Sequence, residues 1–334
     1  MDTVLVAGAG SWGTALAMIL ARNGCRILLW GHRPEHIAAL KRDNANTSHF
    51  PGVPFPANLI PMDDLSDALS QTSEIIVAVP CVGLRSFLHQ VRSHSHGALR
   101  VCCSCKGFEP GTGKLSHQVI LDVLGVDVPR AALSGPTFAG EVVAGQPSAA
   151  VIAASDELFA RHLVGRFHSD TFRAYSSGDL IGVEVGGAVK NVLAIAAGVA
   201  AGLGFGANTL AALVTRGLSE MSRFGVACGG EMATFMGLAG LGDLLLTCTD
   251  NQSRNRRLGL ALADGIALKD AYKSVGQVVE GARTAGEVAA LAAELGVEMP
   301  ITQVVTALLR GDYSAAEAVG QLLARAPKEE TGSA

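Results

Sequence analysis

Strand-like and helix-like segments alternate through residues 1–178, and only helical periods follow. The sequence therefore predicts a parallel-sheet α/β domain and then an all-α domain. Two further observations agree with this division. The chain opens on a short apolar run, TVLVA, which stops at the glycine-rich turn GAGSWG and passes directly into the helical stretch TALAMILARNG. At 334 residues, 49% of them hydrophobic and 17% charged, the chain has enough apolar surface for two cores and too little charge for a disordered one. The expected division is 1–178, 179–326 and a frayed polar tail over 327–334.

In the turn, Gly8, Gly10 and Gly13 satisfy GxGxxG between a strand and a helix, and a second strand, CRILLW, follows. That spacing allows a tight turn at the first glycine, approach of a pyrophosphate to the backbone at the second, and close helix–strand packing at the third. The N–H groups that open the helix then face the anion. The first domain is thus read as a Rossmann-type dinucleotide-binding domain. After CRILLW an NAD-preferring chain would carry an acid for the ribose 2′-OH, whereas this one has Gly31, His32 and Arg33. A cation there suits a 2′-phosphate, so NADP or NAD is expected as cofactor, with NADPH preferred.

From Pro34 the alternation continues with a helix to about Asn44, a proline-rich loop HFPGVPFPANLIP, a short acidic helix and the strand EIIVAVP. A helix over about Val82 to Ser93 leads to the strand RVCCSC, which ends at Lys106-Gly107. Lys106 falls just past the carboxyl end of a buried strand, where open α/β sheets place ligands. A turn and helix follow in KGFEPGTGKLSHQVI, and RAALSGPTFAGEVVAGQPSAAVIAA reads as strand, Gly-Pro turn, helix and strand. Gly135, Pro136 and Thr137 again lie at a strand's end. After ELFARHLVGRFHS and the strand-like TFRAYS, the sheet pattern stops near Gly178.

The second domain is organised around residues 182–221, which are apolar and rich in small residues on nearly every face. One lysine, Lys190, stands there beside Asn191, with Ala, Val, Ile and Leu on the adjoining turns. Desolvation disfavours the ammonium form and brings its pKa toward the proton-transfer range, which makes Lys190 the candidate acid. The uncharged run 192–214 is long enough to span a membrane, but the glycines of LGFGAN break it, and a buried helical hairpin is the expected form. Farther on, Asp243 follows a Gly-Leu-Gly turn and Thr247 lies one helical turn later. Ser253, Arg254, Asn255, Arg256 and Arg257 form a polar cationic cluster that could grip a phosphate, with a solvated helix start the alternative for Arg256 and Arg257. Glu280 precedes a glycine turn, and Pro300 starts the last long helix.

The net charge of −4 gives no basic field for nucleic acid. Seven cysteines, an odd number with Cys102, Cys103 and Cys105 in the apolar strand-like run VCCSC, argue for reduced core thiols in a cytoplasmic protein and against a metal site. The N-terminus reads as a strand and not as a signal segment. The apolar helical half suggests a homodimer without stable membrane insertion.

These motifs together resemble the bacterial NAD(P)-dependent glycerol-3-phosphate dehydrogenase family. The resemblance runs from about Val4 to Leu323 and rests on GAGSWGTALA, KGFEPGTGKL, SGPTFAGEV, the VKN of 189–191, GLGDLLLTC, and SRNRRLG followed by VVEGARTA. It implies reduction of dihydroxyacetone phosphate to sn-glycerol 3-phosphate, the backbone precursor of phospholipids. It also implies that Lys190 is the proton-transferring lysine, with Lys106, Gly135, Thr137, Asp243, Ser253, Arg254 and Asn255 at substrate positions. Asn191 and Thr247 resemble supporting polar residues. Gly8, Gly10 and Gly13, with Ser11, Trp12, His32, Arg33, Lys106, Ala139, Arg254, Val278 and Glu280, fall at cofactor positions. Leu210 and His49 depart from the family pattern, which usually has Lys or Arg and an aromatic there. The competing readings are a related lysine-dependent NADP reductase of another small keto or hydroxy acid, and a non-catalytic NADP sensor. Neither a phosphate-free substrate nor a sensor has an evident use for both Lys190 and the Arg254-Asn255 pair.

Overall fold

The computed structural model describes residues 2–95, 97–276 and 279–325. Val278 and the tail over 327–334 therefore lie outside the described residues. Eight strands form one sheet: β1 (Thr3–Ala7), β2 (Arg26–Trp30), β3 (Leu59–Met62), β4 (Glu74–Val77), β5 (Arg100–Cys103), β6 (Arg130–Ser134), β7 (Ser148–Ala154) and β8 (Phe172–Ser177). Their spatial order is β3-β2-β1-β4-β5-β6-β7-β8. The first six run parallel, β7 pairs antiparallel with β6, and β8 is parallel to β7. Seven helices alternate with them: α1 (Ser11–Arg22), α2 (Pro34–Asp43), α3 (Leu65–Ser70), α4 (Cys81–His94), α5 (Ser116–Leu124), α6 (Ala139–Val143) and α7 (Glu157–Phe167). The sheet is covered on both faces, one core gathering α1 and α7 side chains and the other those of α3, α4 and α5.

β3 corrects the sequence reading, which placed its residues in a proline-rich loop. Leu59–Met62 pairs with Ile27–Trp30 and forms the sheet edge. Pro61 is compatible with an edge strand, because only one side of such a strand must supply ladder hydrogen bonds.

Beyond Ser177 the described residues are helical: α8 (Leu180–Gly202), α9 (Ala207–Ala227), α10 (Met232–Phe235), a π-helical turn at Leu238–Gly242, α11 (Asp243–Thr249), α12 (Arg254–Ala263), α13 (Leu268–Val275), α14 (Glu280–Glu294), α15 (Pro300–Arg310) and α16 (Ala315–Leu323). Helix α8 is the axis of this half, buried without interruption from Gly182 to Ala200. Such burial is what a helix apolar on every face requires. Its close neighbours approach through glycines. A Cβ on Gly198 would collide with the Arg256 carbonyl, and one on Gly259 with that of Ile195, so α8 and α12 cross backbone to backbone.

The break read in LGFGAN separates α8 from α9, but the hairpin is buried on one arm only. Ala207, Asn208, Ala211 and Ala212 on α9 face solvent. The polar Thr215, Arg216 and Ser219 later in the helix give α9 a second face that a core could not accept. Among the described residues, two stretches are apolar and long enough to cross a membrane: Leu180–Gly202, whose most apolar 18 residues are 89% buried, and Met232–Thr249, 39% buried.

One buried contact secures the far end of this domain. Glu220 on α9 accepts hydrogen bonds from Ile301 N–H at 2.7 Å and Thr302 N–H at 3.3 Å, at the start of α15. Pro300 occupies the first turn, and no side chain caps that helix from within. Burial raises the Glu220 pKa to about 7 despite these two bonds. The native state therefore retains a proton that the unfolded chain releases near pH 4.5, so this group's contribution is full below that pH and is lost as pH rises through about 7. Glu220→Ala, which leaves two buried N–H groups without an acceptor, should cost about 1–3 kcal/mol in urea denaturation. The loss should be larger at pH 5 than at pH 8.5.

Candidate active site

The carboxyl ends of the parallel strands point toward the helical domain, and the predicted residues gather there. The first group is the loop after β1. Gly8 has φ +117°, and a Cβ on it would meet the Ala78 carbonyl oxygen at 2.6 Å. A Cβ on Gly13 would overlap the Gly8 carbonyl, whereas one on Gly10 would meet nothing within 4 Å. The first and third glycines are therefore demanded by the fold, and the second leaves open space above the loop. Gly10 is the N-cap of α1 and provides no side-chain cap, so Ser11 and Trp12 open the helix with N–H groups available to an anion. The Trp12 indole N–H is buried without a hydrogen-bond partner among the described residues. Trp12 and Ala139 both pack against the core under this loop. These residues fit a dinucleotide by shape and by donor chemistry.

The second group is a cationic rim. His32 and Arg33 are exposed beyond β2, with Arg33 at the N-cap of α2. His49 is half-buried, its ring 6.3 Å from that of His36. Burial lowers its pKa first, and the charges of His36, Arg254 and Arg33 lower it further. Cations from both domains thus act on one imidazole. Leu210, the other departure from the family pattern, packs partly buried against the core of the helical domain.

The third group is an ion cluster at the domain boundary. Lys190 Nζ donates to Asp243 Oδ1 at 2.6 Å and to Thr247 Oγ1 at 2.8 Å. Lys106 Nζ, arriving from the loop after β5, donates to Asp243 Oδ2 at 2.6 Å and to the Gly135 carbonyl at 3.1 Å. Asp243 is 1% exposed and Lys190 7%. One buried carboxylate thus holds two ammonium groups, one from each domain. Burial opposes ionisation of Asp243, but the two lysines outweigh it and hold the carboxyl below its ordinary range. For Lys190 the balance goes the other way. Burial, assisted by the Lys106 charge, overcomes the attraction of Asp243 and leaves the amine at about 8.

Local backbone places these groups. Gly135 has φ +148°, and a Cβ there would press on Ala150 Cα at 2.9 Å, so the turn that offers its carbonyl to Lys106 needs glycine. A Cβ on Gly187 would stand 3.4 Å from Lys106 Cγ and 2.8 Å from Ser134 Oγ, so the bare turn of α8 makes room for the lysine stem. The Thr137 hydroxyl donates to the Gly135 carbonyl at 3.2 Å.

The SRNRR cluster is divided by the fold. The Ser253 hydroxyl caps α12 by accepting from the Arg256 N–H at 3.2 Å. The Arg256 guanidinium is spent on the Cys248 carbonyl at 2.9 Å and on Asn251, and Arg257 is exposed. Asn255 does not simply face a ligand. Its amide donates to Asn191 Oδ1 at 2.8 Å, and its carbonyl oxygen accepts from the Gly281 N–H at 2.9 Å. Asn191 in turn donates to the Lys106 carbonyl at 3.1 Å. This chain of amides joins three helices to the lysine loop, and among the described residues it uses one of the two Asn255 amide hydrogens. Arg254 is partly buried; burial lowers its pKa, with the Glu280 charge opposing and Arg257 assisting. Glu280 is lifted by burial against the pull of Arg283 and Arg254. A Cβ on Gly107 would lie 3.8 Å from Glu280 Oε2.

Sequence reading missed the second duty of Asp243 toward Lys106, the amide chain, and a further bridge in which buried Glu184 on α8 accepts from the His117 N–H on α5 at 3.0 Å. No motif signals pairs separated by so much chain.

The chain is similar to known proteins over nearly its whole length. The family model described as NAD-dependent glycerol-3-phosphate dehydrogenase N-terminus matches residues 3–160, and the corresponding C-terminus model matches residues 179–320. A glycerol-3-phosphate dehydrogenase [NAD(P)+] of Nitrosococcus oceani is 53% identical over 326 residues, 98% of this chain and 95% of the relative. That of Shewanella halifaxensis is 51% identical over 332 residues, 99% and 98% of the two chains. The crystal structure of glycerol-3-phosphate dehydrogenase from Coxiella burnetii superposes with a TM-score of 0.94 at 42% identity, covering 97% of this chain and 99% of that one.

Removing the charge of Asp243 tests the cluster directly. In NMR of lysine-labelled protein, one Cε resonance, absent from Lys190→Ala, should titrate near pH 8. In Asp243→Asn the same resonance should titrate at lower pH, because the desolvation remains and the compensating carboxylate is gone. An unmoved midpoint would remove Asp243 from the balance.

Proposed function

This chain belongs to the NAD-dependent glycerol-3-phosphate dehydrogenase family, and from that premise we propose how its own residues carry the reaction. It is an NAD(P)-dependent oxidoreductase that reduces dihydroxyacetone phosphate to sn-glycerol 3-phosphate, reversibly. The observation that carries the assignment of roles is the pair of lysines on one buried carboxylate, with Lys190 shifted to about 8.

The cofactor supplies or accepts the hydride at the substrate's C2. Gly8, Gly10, Ser11, Trp12 and Gly13 would hold its pyrophosphate, and His32 and Arg33 the 2′-phosphate of NADPH, the preferred form in this reading. Lys106, Ala139, Arg254, Val278 and Glu280 would complete its contacts, as the family resemblance implies. Lys190, an ammonium at neutral pH, donates a proton from Nζ to the alkoxide oxygen that develops as the carbonyl is reduced. Asp243 and Thr247 fix the direction of that donation, and Lys106 adds positive charge toward the same oxygen. Two ammonium groups on one carboxylate leave the site with surplus positive charge, which favours an anionic substrate. Arg254, with the N–H groups at the start of α12 and the remaining amide hydrogen of Asn255, would grip the phosphate. Gly135, Thr137, Asn191 and Ser253 shape this pocket through the contacts already described.

Product formed in this way would supply phospholipid synthesis in the cytoplasm. A homodimer is also proposed, supported by Met232, Met236 and Leu245, whose side chains are 51%, 53% and 49% exposed on one segment of the helical domain.

Steady-state kinetics tests the proton donor. Reduction requires Lys190 protonated, so kcat/KM for dihydroxyacetone phosphate should fall as pH rises above about 8, while the oxidation direction should gain over the same range. Lys190→Ala should lose about 10²–10⁴-fold in turnover while NADPH binding persists, and the limb near pH 8 should vanish. Retention of the limb would assign it to another group.

Arg254→Ala tests the phosphate site. It should cost about 2–5 kcal/mol in transition-state binding of dihydroxyacetone phosphate and far less with dihydroxyacetone. Equal proportional losses on both substrates would show that Arg254 acts through the cofactor or the fold.

A further inference from the structure

The peptide that joins the first two glycines of the GAGSWG turn is held from behind. The Ala9 carbonyl accepts hydrogen bonds from Asn46 Nδ2 at 3.1 Å and from His36 Nε2 at 3.0 Å. Asn46 lies outside every motif that marked the cofactor site, in the segment between α2 and β3, and is 1% exposed. Its amide also donates to the Thr14 hydroxyl of α1 at 2.8 Å, and its Oδ1 accepts from the Ser48 hydroxyl at 3.0 Å. The segment carrying it is itself tied down. The Asn46 carbonyl accepts from the His49 and Phe50 N–H groups at 3.0 and 2.7 Å, Ala45 bridges Pro54, and Phe50 and Phe55 are buried in the first-domain core. Asn46 therefore connects a rigid loop to the first turn of the fold.

The consequence follows from peptide geometry. The bond between Ala9 and Gly10 is trans, so its C=O and N–H point in opposite directions. With the carbonyl drawn toward Asn46 and His36, the Gly10 N–H is turned away from them, and the turn is open at Gly10, where a Cβ would meet nothing within 4 Å. A loop of small residues can rotate this peptide at little steric cost, because Gly10 has no Cβ to oppose it. One buried and one part-buried hydrogen bond to the Ala9 carbonyl remove that freedom before a ligand arrives, and preorganised donors bind more tightly than ones that must be ordered on binding.

We propose that Asn46 is a positioning residue for the cofactor pyrophosphate, acting through the Ala9-Gly10 peptide. It touches neither substrate nor cofactor in this role, and the proposal rests on the reading of the glycine turn as the dinucleotide site.

The test uses the full-length protein, with NADPH affinity measured by calorimetric titration and steady-state kinetics run in parallel. In Asn46→Ala and Asn46→Asp, loss of the donor should weaken NADPH by about 10-fold or more, while kcat at saturating NADPH and the KM for dihydroxyacetone phosphate change by less than about twofold. Ser48→Ala, at an exposed position, keeps the amide but removes the hydroxyl that orients it, and should weaken NADPH by about two- to fivefold. This variant retains the test if both Asn46 substitutions fail to fold. Proportionate changes in NADPH affinity, kcat and substrate KM would show that Asn46 supports the fold in general and would overturn the proposal. Unchanged NADPH affinity in folded variants would overturn it too. Failure of the unsubstituted protein to bind NADPH would instead sink the cofactor reading on which the proposal stands.

Discussion

The structure depends most on a single carboxylate, Asp243, shared by ammonium groups from two domains. Lys106 stands on a loop at the end of β5, and Lys190 rises from the middle of a helix that is apolar all round. Neither could be buried alone at neutral pH without severe cost, and removing one partner from such a cluster leaves an uncompensated buried charge. The carboxylate therefore does two things at once. It makes the burial of Lys190 and the partial burial of Lys106 tolerable, and it ties the loop after β5 to the helical domain.

That arrangement works because α8 lets other backbones come close. At Gly187 the helix leaves room for the Lys106 stem, and at Gly186 a Cβ would press on the Ala239 carbonyl at 2.5 Å, within the π-helical turn that leads into Asp243. At Gly198 it meets α12, the helix that begins with Arg254. The small residues of α8 thus have a geometric purpose beyond apolarity. They bring α12 and the carboxylate-bearing α11 close against the helix that carries Lys190. A bulkier helix of equal hydropathy would bury as well and misplace the chemistry.

Balance within the site is decided by opposing effects of burial and neighbouring charge. Burial lowers the Lys190 pKa, Asp243 raises it, and Lys106 lowers it again, with the result near 8. Asp243, surrounded by the same neighbours, comes out on the opposite side, with its carboxylate stabilised. The difference arises because Asp243 faces two opposite charges, whereas Lys190 faces one opposite and one like charge. A general acid that is charged at neutral pH yet able to release its proton requires such partial compensation.

Much of this molecule could be read from order along the chain. Alternating strand and helix periods, the GxGxxG turn, the loss of the strand pattern after Gly178 and the isolated Lys190 are local features, and local sterics and solvation act the same way in any globular context. The helix break at LGFGAN and the first helix end at Gly24 are local too, the latter with φ +89° at a position that favours glycine. What failed or stayed invisible was set by partners distant in sequence. Leu59–Met62 became an edge strand because Ile27–Trp30 offered it a ladder, although its proline argued for a loop. The outer face of α9 stayed in solvent because α8 had already filled the core. The side chain of Asn255 was claimed by Asn191 and Gly281, and Ala9 by Asn46 and His36. Sequence alone determined which groups were available and which segments would be buried, since hydrophobic period and turn chemistry are properties of neighbours. Only the tertiary structure decided which buried groups would share a proton, a charge or a hydrogen bond, because those energies depend on distances of a few ångströms between residues that the chain keeps far apart.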